Sequence, residues 1–124
     1  MILLSMLFMH ILDDYCLQGI LASMKQKEWW LSLNEYKPMY KYDYVVALIM
    51  HSFSWAFMIM LPIAITVKFN VSASFIIALF VNMIIHCIVD NLKANVRVIN
   101  LVTDQAIHII QILATALVFM TIGA

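Results

Sequence analysis

Four long apolar stretches constrain this chain of 124 residues more than any other feature of its sequence. A helix that crosses a bilayer needs roughly 20 mostly apolar residues, and the stretches at about 2–20, 44–67, 72–93 and 103–123 have that length. Hydrophobic residues make up 65% of the chain and charged residues 11%, whereas a soluble domain is about half apolar and a quarter charged. The sequence therefore predicts an all-α fold, a single integral membrane domain over 1–124 built as a bundle of four transmembrane helices.

The first stretch is predicted to be a permanent helix rather than a cleaved signal peptide. It begins without a basic segment, and it carries His10, Asp13 and Asp14 where a leader would be purely hydrophobic. Gly19 is its predicted end, because glycine favours the backbone conformation that terminates helices.

The longest connector, residues 21–43, is rich in tryptophan, tyrosine and lysine. Such side chains gather at the headgroup level of a membrane, so we predict an interfacial helix over 20–33 rather than a simple solvated loop. The same connector is the predicted contact surface for a second copy or for a membrane-protein partner. The predicted belt consists of Trp29, Trp30, Tyr36, Tyr40, Tyr42 and Tyr44 with Lys25, Lys27, Lys37 and Lys41.

Basic residues lie mostly on one side of the predicted bundle. Six of the seven Lys and Arg residues fall in or beside the connectors 21–43 and 94–102, and only Lys68 falls on the other side. The positive-inside rule then predicts a multi-pass protein of the inner (plasma) membrane, with both termini outside and the connector 21–43 in the cytoplasm. The net charge is zero, which gives no electrostatic basis for binding nucleic acid. Membrane lipid is the expected partner.

Every apolar stretch also contains ionisable side chains, which are rare and costly inside a bilayer. One such group at the centre of a helix costs roughly 2.5–3.5 kcal/mol on insertion scales, so these groups must face each other, a metal ion or water. A rise of about 1.5 Å per residue places all of them in the cytoplasmic half of the membrane. Spacings of three and four residues put them on one face of each helix. The stripes are His10, Asp14 and Gln18; His51 and Trp55; His86, Asp90 and Lys93; and Asp104, His108 and Gln111.

Imidazole and carboxylate groups one helical turn apart are typical ligands of a divalent metal. We predict one or two ions in the core of the bundle, with zinc as the first choice and manganese or iron as alternatives. Asp13 or Asp104 is the predicted general base, and Lys93 would neutralise an anionic group such as a phosphate. The predicted metal ligands are His10, Asp14, His51, His86, Asp90 and His108.

Structural roles for some of these residues remain open at this point. Asp104 opens the fourth helix and suits an N-cap position, and Asp90 with Lys93 suits an ion pair at a helix end. Gln18 and Gln111 suit hydrogen bonds between helices.

The order of these motifs resembles a family of small integral membrane proteins of bacteria and their phages that carries only a domain-of-unknown-function label. The likeness covers nearly the whole chain, and Tyr15 fits an aromatic position that follows the aspartate pair in that family. More distantly, His and Asp residues in several spans resemble bacterial inner-membrane proteins described as metal-dependent hydrolases. The resemblance implies a membrane protein with a His/Asp site and supplies no substrate. Its motifs are H-x-x-D-D-x-x-x-Q from His10 to Gln18, then His51, H-x-x-x-D-x-x-K from His86 to Lys93, and D-x-x-x-H from Asp104 to His108.

Three functions fit this pattern. The first is a membrane-embedded metal-dependent hydrolase, of phosphatase or lipase type, acting on a lipid or lipid-linked substrate that contains phosphate, at the cytoplasmic leaflet. The second is a small regulatory or interaction protein of the membrane with a structural metal or polar core. The third is a transporter of divalent cations or protons. The outer halves of the predicted helices argue against it, because they are apolar and offer no ionisable side chains to an ion.

Overall fold

Helices make up all the regular structure in the described part of the chain, residues 1–33 and 37–122 of this computed structural model. Tyr36 of the predicted aromatic belt and residue 123 of the last predicted span lie outside those residues. The α-helices are α1 (Ile2–Ile11), α2 (Leu21–Met24), α3 (Lys27–Leu31), α4 (Asp43–Thr66), α5 (Ala73–Asn91) and α6 (Leu101–Ile122). Two π-helical segments, Leu12–Leu17 and Leu92–Val96, continue α1 and α5, and a 3₁₀ turn, Pro38–Tyr40, precedes α4.

Among the described residues, three helices are long and apolar enough to cross a membrane. They are α4 with its preceding turn (Pro38–Thr66), α5 with its π-helical continuation (Ala73–Val96), and α6. Large apolar side chains cover their outer faces, among them Phe57, Ile84 and Ile110. Such a surface suits a hydrocarbon environment, because soluble monomers rarely expose contiguous apolar patches of this kind. The prediction of an all-helical membrane protein is confirmed to this extent.

The first predicted span is shorter than a typical transmembrane helix. It comprises ten α-helical residues in α1 and six π-helical residues up to Leu17, compared with the roughly 20 residues that a full crossing requires. The backbone then turns at Gly19, which has φ 50° and open space around its α-carbon. The predicted count of four spanning helices is therefore not confirmed.

The four longer helical segments share one apolar core. Trp55, Met60 and Ile112 in this core have no exposed surface. Residues from α1, α4, α5 and α6 contribute to it: Met6, Trp55, Ala56, Ile59, Met60, Ile63, Ala64, Phe75, Leu79, Ile112 and Ala116. The core fills the end of the bundle near the turn between α4 and α5, which leaves the other end to the polar residues.

The connector contains two short helices where the sequence predicted one interfacial helix. Helix α2 ends before Lys25, and Gln26 takes an extended conformation before α3 begins. Asn95, in the π-helical segment after α5, holds this break: its amide nitrogen donates to the Lys25 carbonyl oxygen over 3.1 Å, and its amide oxygen accepts from the Lys27 backbone N–H over 2.7 Å. The connector is thereby fixed against the end of α5.

Candidate metal centre

Ionisable side chains from α1, α4, α5 and α6 meet inside the bundle, at the end opposite the apolar core. Each of the four histidines is at most 3% exposed. The His86 ring stacks on Trp55 with 4.1 Å between ring centroids, and on His108 with 4.2 Å. We refer to the whole set as the polar cluster. Its buried members are His10, Asp13, Gln18, Lys25, His51, His86, Asp90, Asp104, His108 and Gln111.

Both π-helical segments border the polar cluster. Asp13 and Asp14 lie in the first and Lys93 lies in the second. A π-helical turn is wider than an α-helical turn and often occurs at functional sites. The wider turn also changes which residues share a face of the helix. Asp13 is 1% exposed, although the α-helical period placed it beside the stripe of His10, Asp14 and Gln18.

His108 has a defined tautomer. The Gln111 side-chain nitrogen donates to the backbone and side-chain oxygens of Asn82, at 3.3 and 3.4 Å, which leaves the Gln111 amide oxygen facing His108 Nδ1 at 3.2 Å. Nδ1 of His108 must therefore carry a proton. In the neutral ring, Nε2 then presents a lone pair to the centre of the polar cluster.

This lone pair meets two carboxylates. His108 Nε2 lies 3.4 Å from Asp90 Oδ1 and 3.4 Å from Asp104 Oδ1. These three atoms are fully buried and have no hydrogen-bond partner within residues 1–33 and 37–122, and the same holds for His86 Nδ1. Three facing acceptor atoms repel each other, so a proton or a cation is needed between them.

His51 is oriented by a similar chain of hydrogen bonds from the opposite side. Ser54 Oγ donates to Asp13 Oδ1 over 2.8 Å, and the Gln18 amide nitrogen donates to the other oxygen of Asp13. The Gln18 amide oxygen accepts from His51 Nδ1. In the neutral ring, His51 Nε2 then carries the lone pair, and it points at the centre. Asp13 thus acts on His51 through Gln18.

Several polar atoms crowd around His51 Nε2. Asp90 Oδ2 lies at 2.6 Å, Lys25 Nζ at 2.9 Å, His86 Nε2 at 3.0 Å and Asp14 Oδ1 at 3.9 Å. Lys25 Nζ also donates to Asp90 Oδ2 over 2.5 Å. The Lys25 ammonium therefore lies among the groups that could otherwise surround a metal ion.

Both ring nitrogens of His10 have hydrogen-bond partners. The Trp55 indole N–H donates to Nδ1 over 2.8 Å, so Nε2 carries the proton and donates to the Gln105 amide oxygen over 3.0 Å. The Gln105 nitrogen in turn donates to Asp14 Oδ2 and Asp104 Oδ2, each over 3.0 Å. This arrangement leaves His10 without a free lone pair for a metal.

Negative charge exceeds positive charge in the polar cluster. Lys93 Nζ donates to Asp104 Oδ2 over 2.6 Å, and its side chain is 26% exposed, which places it at the mouth of the site. Four aspartates, Asp13, Asp14, Asp90 and Asp104, face the two ammonium groups of Lys25 and Lys93. With neutral histidines, two negative charges remain uncompensated.

Within residues 1–33 and 37–122, two groups of side chains bring ligand atoms close enough for one metal ion. In the first, ligand atoms of His86, Asp90 and His108 lie within 4.8 Å of one another, and in the second the same holds for Asp14, His51 and His86. Together the two groups contain five of the six predicted ligands, and His10 belongs to neither. The two residues predicted as alternative general bases lie in different places. Asp104 contacts the ligand His108, whereas Asp13 contacts Gln18 and Ser54.

The sequence does not predict the roles of Lys25, a member of the polar cluster, or of Gln105, which contacts the cluster at His10, Asp14 and Asp104. Lys25 belongs to the predicted headgroup belt, and the turn at Gly19 ends the helical period that would relate it to the polar stripe of the first span. Gln105 lies one position off the stripe of α6 and gave no periodic signal.

No protein-family model, no curated protein and no solved structure matches this chain.

Proposed function

We propose that the protein is a membrane-embedded metal-dependent hydrolase. In this proposal a divalent ion, zinc in the first place, is held by His86, Asp90 and His108. The substrate is a lipid or lipid-linked molecule that contains phosphate, presented at the cytoplasmic leaflet.

The facing acceptor atoms of the polar cluster carry this proposal. A tetrahedral ion with ligand bonds of about 2.0–2.2 Å separates its ligand atoms by roughly 3.3–3.6 Å. The 3.4 Å between His108 Nε2 and Asp90 Oδ1 fits that separation, and neither atom has another partner in the described residues. The hydrogen bond from His108 Nδ1 to Gln111 supports the same role, because metal-bound histidines usually donate their second N–H to a fixed oxygen.

With the four histidines neutral, the charge balance also supports the proposal. Two uncompensated negative charges in a buried site inside a membrane are unfavourable by several kcal/mol. A single divalent cation neutralises them without altering any hydrogen bond described above.

The remaining polar groups suit hydrolysis of a phosphate ester. A divalent ion held by His86, Asp90 and His108 would make water more acidic and would polarise a phosphoryl oxygen. Asp104 Oδ1 has a free lone pair beside the centre, so it is the proposed general base, while Lys93 and Gln105 hold its other oxygen. Lys93, partly exposed at the mouth, is the proposed contact for the substrate phosphate.

The membrane arrangement that we propose has α1 as a fourth crossing segment. Helix α1 contributes Met6 to the shared apolar core, and the polar residues of its π-helical continuation lie at the same level as those of α4, α5 and α6. Both termini then lie outside, and the connector, with its lysines and tryptophans, lies at the cytoplasmic face of the inner membrane.

Metal analysis of detergent-purified protein tests the proposal. We expect about one equivalent of zinc, manganese or iron per chain, and its loss in His108→Asn and Asp90→Asn. The matched control is His10→Asn, which removes an equally buried imidazole outside both ligand groups and should retain the metal. Release of phosphate from polyprenyl phosphate and from phosphatidic acid should fall in Asp104→Asn while the metal content stays unchanged. A folded wild-type protein without metal would overturn the proposal.

One observation favours a second candidate, a regulatory membrane protein with a purely polar core. The Lys25 ammonium already contacts Asp90 and His51, and a proton on His108 would satisfy its two neighbouring carboxylates. Metal-free protein with unchanged thermal stability after chelation would favour this candidate.

A further inference from the structure

The ammonium group of Lys25 lies next to the second group of ligand atoms. Asp14, His51 and His86 have the spacing of a metal site, and the lone pair of His51 Nε2 points into it. Lys25 Nζ lies 2.9 Å from His51 Nε2. It also lies 2.5 Å from Asp90 Oδ2, the oxygen that faces this group rather than His108.

We propose that Asp14, His51 and His86 form a second divalent-cation site and that the Lys25 ammonium occupies it in competition with the ion. His86 belongs to both ligand groups, so with two ions bound its ring would lose its N–H proton and serve one ion through each nitrogen. An ammonium donates hydrogen bonds to lone pairs, which are the same groups that a metal ion binds. The two cations therefore exclude each other, and Lys25 limits the centre to one ion. The second site does not depend on the proposed metal at His86, Asp90 and His108. The expected number of ions per chain does rest on that proposed function.

The connector determines how firmly the ammonium is held. Lys25 lies at the break between α2 and α3, and its side chain reaches into the bundle with 7% exposure. Asn95 holds the backbone on both sides of this break through the Lys25 carbonyl and the Lys27 N–H. A connector that moved away from Asn95 would withdraw the ammonium and open the second site.

Metal stoichiometry of the full chain tests this competition. With zinc as the probe, we expect the ratio of bound metal to protein to rise about twofold in Lys25→Met, which keeps the apolar stem and removes the charge. Lys27→Met is the matched control, because the Lys27 side chain is exposed, and it should bind as the wild type does. Adding His51→Asn to Lys25→Met should remove the extra ion.

The outcomes separate this inference from the proposed function. Wild type with one ion and Lys25→Met also with one ion would overturn the competition and leave the proposed function standing. Wild type without metal and Lys25→Met with one ion that His51→Asn removes would support the second site and overturn the first. Wild type with two ions would overturn the competition.

A second variant covers the case in which Lys25→Met does not fold. Asn95→Ala retains the lysine and removes the two hydrogen bonds that hold its backbone. We expect this variant to bind a second zinc ion at least about tenfold more tightly than the wild type, since the ammonium is less firmly placed. Unchanged zinc binding in folded Asn95→Ala would count against the inference.

Discussion

Lys93 donates to Asp104 over 2.6 Å, and this contact joins the π-helical end of α5 to the first turn of α6. Asp104 has no exposed surface, whereas the Lys93 side chain is 26% exposed. Removal of the lysine would leave the buried carboxylate with the Gln105 amide as its remaining donor to Oδ2. The pair therefore links the stability of this loop to the charge balance of the polar cluster.

Lys93→Met should destabilise the protein by about 2 kcal/mol, because breaking a buried ion pair from one side leaves an uncompensated charge. The free energy of unfolding in mixed detergent micelles, followed by circular dichroism, measures this effect. Lys27→Met, at an exposed position, should change it by less than about 0.5 kcal/mol. Equal effects of the two substitutions would show that the contact with Asp104 contributes nothing specific.

Gln111→Ala should weaken metal binding without removing a ligand. Its amide oxygen fixes the His108 tautomer, and loss of such a partner lowers metal affinity by about 10–100-fold. Competition with a chromogenic chelator measures the affinity. Gln26→Ala removes an exposed glutamine of the connector and serves as the control, for which no change is expected. An affinity in Gln111→Ala equal to that of the wild type would contradict the role of this hydrogen bond.

Helical periodicity predicted which ionisable residues lie together but not how they are paired. Residues spaced by three or four share a face in any α-helix, so the grouping of His86 with Asp90 and of Asp104 with His108 could be predicted from sequence. The π-helical turn at Asp13 and Asp14 could not, because the α-helical period from which the stripes were predicted does not hold over Leu12–Leu17. That turn brings Asp13 towards Gln18 and Ser54.

The position of Lys25 shows a second limit of sequence analysis. A lysine in an aromatic connector is typical of a headgroup belt, and only the fold-back of the connector onto Asn95 directs this lysine inwards. His10 was predicted as a ligand from its stripe. Its hydrogen bond from Trp55 could not be predicted, since it joins two helices whose rotation is set by tertiary packing.

Trp55→Phe should be among the most destabilising single substitutions. The indole has no exposed surface, stacks on His86 and donates to His10 Nδ1. Loss of the donor leaves a buried acceptor unpaired and the smaller ring leaves a void, so we expect a loss of about 3 kcal/mol in the free energy of unfolding. Trp29→Phe, at a half-buried position in the connector, should cost less than about 1 kcal/mol. Similar losses for both tryptophans would contradict the importance of the His10 contact.

Chelation should destabilise the wild type more than the ligand variants. A ligand that binds only the folded state stabilises it by about 2.7 kcal/mol at a concentration 100 times its Kd. Removal of the metal should therefore lower the melting temperature of the wild type and of His10→Asn, and should leave His108→Asn unchanged. Thermal unfolding with and without a chelator, monitored by intrinsic tryptophan fluorescence, provides the measurement. A chelator effect that persists in His108→Asn would place the ion elsewhere.

The direction of α1 decides the topology. The 10 residues of α1 and the 6 of its π-helical continuation together span at most about 24 Å at 1.5 Å per residue. The missing few ångströms can be accommodated by local thinning of the bilayer. If α1 crosses, a cysteine inserted after Met1 should react with a membrane-impermeant maleimide in intact cells, as should Asn70→Cys in the turn after α4. Lys37→Cys should be protected until the cells are opened. For this experiment Cys16 and Cys87 are first replaced by serine. A protected N-terminus together with a labelled Asn70→Cys would mean that α1 does not cross, and the polar cluster would then be closed by a helix that enters and leaves on the cytoplasmic side.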